Sequence, residues 1–128
     1  YGPAIQGLPL EVAKAYEEAR NCMSVNAFVA SELLCRKILM HVAVDKGASP
    51  GETFVKYLDY LENQGFITPP IRPWADRIRT HGNEATHEIT QIDRKRAEST
   101  VTFTSQLLRL IYEMEYLSNQ LDSSDQQT

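Results

Sequence analysis

The stretch DRKRAESTVTFTSQLLRLIYEMEYLSNQL, Asp93 to Leu121, decides the fold. Ala97, Val101, Thr104, Leu108, Ile111 and Glu115 recur at three- and four-residue steps, and Phe103, Leu107, Leu110, Met114, Leu117 and Leu121 form a second stripe beside them. That period is helical, and no segment of useful length alternates at period two. Asp93 stands where an N-cap is needed. Two adjoining stripes predict a helix that buries most of its circumference, in the core or against a second copy of the chain.

Upstream, the same period places a helix on Trp74, Ile78, Ala85 and Ile89, with Pro73 in its first turn and Gly82 in its middle. Gly65, Pro69 and Pro70 mark a loop over 64–70. Gly47 supplies a stop, and Ser49, Pro50 and Glu52 read as a capping box that opens a short helix through Asn63. Ser24 or Asn26 is expected to cap a helix reaching Lys46, whose broad apolar face (Ala27, Ala30, Leu34, Ile38, Val42, widened by Phe28, Leu33 and Leu39) predicts a central position. Pro9 to Met23 forms the first helix. The expected fold is all-α, an antiparallel up-and-down bundle of four principal helices plus a short helix. The bundle spans 9–121, after a lead-in over 1–8 and before a polar tail over 122–128.

The chain has 128 residues, 42% hydrophobic and 23% charged, the size and balance of one domain with a core of its own. No run approaches the ~20 apolar residues of a membrane span, and no secretory leader opens the chain, so a cytoplasmic protein without membrane association is expected. The start at Tyr1 rather than Met suggests a trimmed N-terminus. The net charge of −4 argues against a dedicated binder of long nucleic acid. Between Arg72 and Arg96, however, six bases face four acids, a local +2 that suits a short anion or a solvated helix surface. Cys22 and Cys35 have neither zinc nor redox spacing and read as small, mostly buried residues of a reducing compartment.

The segment Arg77 to His87, RIRTHGNEATH, is the one that could carry chemistry. On a continuous helix Arg79, Asn83 and His87 stand at i, i+4 and i+8, within about 80° of arc. The row combines a guanidinium that grips phosphate, an amide that positions and an imidazole that exchanges protons near neutral pH. Such a set suffices for metal-independent cleavage of RNA, with His at the ribose 2′-hydroxyl or leaving oxygen and Arg on the phosphoryl oxygens. The competing reading is a polar network between helices. His81 and His87 lack the i, i+4 spacing of helical metal ligands, so no metal and no cofactor is expected. Arg36 and Lys37 read as a solvated pair, although an Arg amid Leu33, Leu34, Ile38 and Leu39 must reach out of, or be paired within, a mostly apolar neighbourhood, and His41 reads as a partly buried helix residue.

Three runs resemble a known family: YEEAR from Tyr16 to Arg20, ASELLCRKIL from Ala30 to Leu39, and IRTHGNEATH from Ile78 to His87. They resemble the domain of unknown function numbered forty-one forty-five, grouped with the HEPN (higher eukaryote and prokaryote nucleotide-binding) superfamily. The resemblance covers about Leu8 to Leu121. It implies a helical bundle, often dimeric, that occurs alone or fused to restriction subunits and other prokaryotic defence proteins. Stand-alone relatives often carry an upstream zinc-binding cysteine segment, which would precede Tyr1.

Active HEPN members are metal-independent ribonucleases that bring Arg and His together across a dimer interface. Carried over, Arg79 and His87 would form the catalytic pair with Asn83 positioning. The superfamily motif usually places four to six residues between Arg and His, whereas seven separate Arg79 from His87, and Met40 stands where relatives tend to have a carboxylate. Many HEPN-like domains are inactive and serve in dimerisation or in binding a nucleotide or partner. The sequence therefore favours a homodimeric interaction domain of a larger defence or restriction assembly, with RNA cleavage as the alternative.

Overall fold

A computed structural model describes residues 1–87 and 92–127, with side chains described for 1–79 and 92–122. Its helices are α1 (Leu10–Ser24), α2 (Phe28–Asp45), the short α3 (Phe54–Asn63), α4 (Arg72–His87), α5 (Arg94–Leu108) and α6 (Met114–Gln127). A five-residue π segment, Arg109–Glu113, joins α5 to α6, so the two form one uninterrupted rod. Among the described residues there is no strand, and no helix is long and apolar enough to cross a membrane. The expected all-α bundle of four principal helices and a short one is the architecture observed.

Consecutive helices pack on one another, and α2 touches α1, α3, α4 and α5, as its broad apolar face demands. The main core gathers Leu39, Val42, Leu58, Leu61, Ile67 and Leu108, all fully buried, with Trp74 meeting Phe103 edge to face at 5.3 Å. A smaller cluster at the α1–α2 turn holds Ala19, Met23, Cys35, Ala97 and Val101. The lead-in also packs: the Tyr16 hydroxyl donates to the Pro3 carbonyl at 2.7 Å, and the Gln6 N–H donates to Glu113 Oε2 at 2.7 Å.

The boundaries follow local chemistry, and two of them correct the sequence reading. Neither Ser24 nor Asn26 caps α2; Ala27 holds that position without a side-chain bond. Asn26 instead makes the turn, at φ +61, a left-handed conformation that asparagine tolerates, and its side chain accepts from Arg94. Nor does Ser49 open α3. Thr53 is the cap, its Oγ1 accepting the Lys56 N–H, while residues 49–52 form a turn held by Tyr57. The Tyr57 hydroxyl accepts from the Glu52 N–H and donates to the Ser49 carbonyl, both at 3.0 Å. Asp93 caps α5 as expected, accepting the Arg96 N–H at 2.9 Å. Gly47 ends α2 at φ +112, with the Tyr60 hydroxyl 2.6 Å from where a Cβ would stand, a place no other residue fits.

The C-terminal rod departs further from expectation. On α5 the stripes are buried as predicted, but from Leu110 onward the second stripe faces solvent: Leu110, Met114, Leu117 and Leu121 are 46 to 64% exposed. Every residue from 114 to 122 is exposed, whichever face it stands on, because α6 makes few contacts with helices α1 to α5. The helical backbone also continues to Gln127, past the expected boundary at Leu121.

Candidate functional site

Helix α4 is continuous from Arg72 to His87, so its backbone carries Arg79, Asn83 and His87 on one face. It turns inward through Ala75 and Ile78, both buried, and leaves Arg77 exposed and Arg79 half-buried. The side chains of His81, Asn83 and His87 lie outside the described residues. Arg36 of α2 meets the described part of the row. Its guanidinium donates to the Arg79 carbonyl at 3.4 Å and lies over the Phe54 ring at 4.6 Å. Burial pulls the Arg36 pKa below the ordinary arginine value. Arg36 is thus a packing and bonding group rather than half of a solvated pair; only Lys37 is fully exposed.

A polar layer lies between α2 and α5. Glu32, almost fully buried, accepts from the Thr100 hydroxyl at 3.2 Å and stands 3.8 Å from Arg96 Nε. The Ser31 hydroxyl donates to the Ala19 carbonyl at 3.0 Å, tying α2 to α1. Cys35 sits in the same layer; burial is the chief cause that pushes its thiol up to about 12, so it has no thiolate for chemistry at neutral pH. Both cysteines are free thiols, Cys35 buried and Cys22 partly so, as their spacing predicts. His41 is partly buried, its side chain 47% exposed, and it stands 3.7 Å from Glu11.

Three of the six bases between Arg72 and Arg96 meet carboxylates once neighbours in space are included. Arg72 binds Asp59, Glu62 and Asp76 at 2.8, 3.1 and 3.0 Å. Burial opposes its charge, but hydrogen bonds to the three carboxylates outweigh that and hold its pKa above the ordinary value. Arg96 faces Glu32, and Arg94 reaches Asn26 and Glu98. No broad cationic face for an extended anion is left among these groups.

A different surface stands uncovered. Phe66, Ile71, Trp74, Phe103, Leu107 and Leu110 line an apolar groove of about 320 Å³ on the α4–α5 side of the bundle. A second hollow, lined by Gln106, Arg109, Leu110, Glu113 and Met114, lies next to it, and Met114, Leu117 and Leu121 of α6 are exposed. Helix α6 continues the rod and makes few contacts with helices α1 to α5, while the side chain of Tyr116 closes over Gly7. Among the described residues, no group of three His, Cys, Asp or Glu side chains could hold a metal ion.

The pattern described as Domain of unknown function (DUF4145) matches residues 17–124. The chain belongs to the DUF4145 family. No curated protein and no solved structure matches it. The DUF4145 match takes in the Arg79 row, the buried Glu32 and Arg36, and the whole apolar ridge from Leu110 to Leu121. Arg36 and the GNEATH segment, which carry the sequence resemblance, are therefore inside the matched region, together with a ridge that the resemblance did not single out.

Proposed function

We propose that this DUF4145 chain is an interaction module, a HEPN-like helical domain that docks within a prokaryotic defence or restriction-associated assembly. The observation that carries this reading is the set of exposed apolar side chains on the C-terminal rod, Leu110, Met114, Leu117 and Leu121, together with the apolar groove on the α4–α5 side. A monomer gains nothing from holding Leu110, Met114, Leu117 and Leu121 in water, whereas an interface buries them. The pairing of Arg72, Arg94 and Arg96 with nearby carboxylates points the same way, since RNA binding draws on unpaired cations.

A second reading has one observation in its favour: α4 is unbroken through His87, so Arg79, Asn83 and His87 share a face. On that reading two such faces form a composite site. His87 moves the proton at the 2′-hydroxyl or leaving oxygen, Arg79 stabilises the phosphoryl oxygens, and Asn83 positions. The two readings separate when the purified protein, Arg79→Ala and His87→Ala are each incubated with structured and unstructured RNA in EDTA. The module reading predicts that the parent cuts no more RNA than the variants. Cleavage by the parent that both variants lose, with their helical content intact, would overturn it.

A further inference from the structure

We infer that residues 1–8 form a releasable strap that holds α6 in line with α5, so that a partner taking up the strap frees α6 to pivot at the π segment. This rests on the interaction-module reading and supplies its regulation.

The strap grips three elements in turn. The Tyr1 hydroxyl lies 3.1 Å from the Thr102 hydroxyl of α5, and the Pro3 carbonyl accepts from Tyr16 of α1 at 2.7 Å. Ile5 and Leu8 are partly buried against the main core. Between them the Gln6 N–H donates to Oε2 of Glu113, the last residue of the π segment, at 2.7 Å. A bond from an N–H to a carboxylate is charge-assisted and stronger than one between neutral groups. Gly7 follows at φ +79, and the Cβ of Tyr116 stands 2.5 Å from where a Cβ on residue 7 would be, so only glycine lets the strap pass this close to α6.

The rest of the bundle holds α6 weakly. Every residue from 114 to 122 is exposed, and α6 makes few contacts with helices α1 to α5. The π segment itself is anchored, because Tyr112 donates to Asp45 at the end of α2. Beyond Tyr112, Lys46 approaches Glu115 at 4.0 Å, and an ion pair that open to water contributes little. The strap's two holds, on Glu113 and Tyr116, therefore lie just past the last firm anchor of the rod.

That boundary is also where the rod is built to bend, since a π turn is a common site of sharp kinks in an otherwise regular helix. With the strap in place, Leu117 and Leu121 keep a fixed relation to the α4–α5 groove. With the strap released, α6 pivots and that relation is lost. A partner that engages the Gln6 N–H, or covers Ile5 and Leu8, competes with the rod for the strap and so alters the surface offered to a partner at α6. By linkage, a partner that fixes α6 in line holds the strap down.

Amide hydrogen exchange of the full chain tests this coupling. Gly7→Ala drives a methyl against Tyr116 from the strap side, and Tyr116→Ala removes the ring from the α6 side at a part-exposed position that leaves the core as it is. In each variant the Gln6 amide and the amides over 114–118 should lose protection together, by roughly 10-fold, while those of Leu39 and Val42 in α2 keep theirs. Loss on one side only, or on neither, would overturn the inference, as would a loss that spreads equally to Leu39 and Val42. Such a result leaves the module reading standing, because Leu117 and Leu121 are exposed whether or not the strap moves. RNA cleavage that Arg79→Ala and His87→Ala lose would remove that reading and leave the exchange coupling in place.

Discussion

Replacing Arg72 with methionine keeps the packed stem and removes the charge that three carboxylates share. In the folded chain Asp59 and Glu62 of α3 and Asp76 of α4 all bond this one guanidinium, so it fastens the short helix to the start of α4. An exposed ion pair contributes about 0–1 kcal/mol, and breaking a buried one costs about 3–5 kcal/mol. The Arg72 side chain is 18% exposed and its partners are 28 to 57% exposed, which puts the hub between those limits. Asp59, more than half in water, adds little; Glu62 and Asp76 carry most of the effect. Arg72→Met should therefore cost about 2 kcal/mol, or roughly 8 °C in Tm for a domain of this size. Urea titration at neutral pH, followed by far-ultraviolet circular dichroism, measures the loss. Because the variant leaves three negative groups side by side, Glu62→Gln in the Arg72→Met background should recover part of the stability. A loss below about 0.5 kcal/mol, or no recovery in the double variant, would refute the hub as a fastening element.

Tyr112 donates to Asp45 at 2.7 Å, and burial followed by the Asp45 carboxylate raises its pKa above 10.0. A raised pKa means that the unfolded chain loses the proton first, so this contribution is complete below pH 10 and declines as pH rises beyond it. Tyr112→Phe should cost about 1–2 kcal/mol at pH 7 and should flatten the alkaline part of the stability profile, as urea titrations at several pH values would show. At the start of α3, Thr53→Ala should lose about 1 kcal/mol, whereas Ser49→Ala should lose almost nothing because Tyr57 bonds the Ser49 backbone and not its side chain. Equal losses at the two positions would restore Ser49 as the cap.

The helical period was legible wherever apolar residues recur every three or four positions, and the Gly47 stop and the Asp93 cap carried local chemistry that survives folding. The α3 cap was misplaced because Ser49-Pro50-x-Glu52 and Thr53 compete over five residues. What decides between them is the distant Tyr57 hydroxyl, which takes residues 49–52 into a turn. His41 and Arg36 sit on the same helix, about 140° apart around it, and what each meets is set by other helices. Arg36 meets Phe54 and the Arg79 carbonyl from two other helices, while His41 reaches the surface beside Glu11.

The local +2 was true of the sequence, but three of its six bases meet carboxylates in space, and Asp59, Glu62 and Glu32 approach from helices outside the counted segment. Both stripes of the last helix could be read, but not where the rod leaves the core, because that depends on how far the other helices reach alongside it. The groove escaped the sequence for a similar reason: Phe66, Ile71, Trp74 and Phe103 belong to three separate segments. Of the proposed chemical row, the spacing was legible and the continuous α4 helix agrees with it; the side chains of Asn83 and His87 lie outside the described residues.

Amide hydrogen exchange at low and high protein concentration tests most directly whether the α5–α6 face is where this domain works. In a monomer the amides from Leu117 to Leu121 belong to a helix with little tertiary support and should exchange quickly. The account predicts that their protection rises with concentration, in step with association, while the buried segment of α2 around Leu39 and Val42 does not change. Protection over Leu117 to Leu121 that is independent of concentration in a sample that does associate would contradict it.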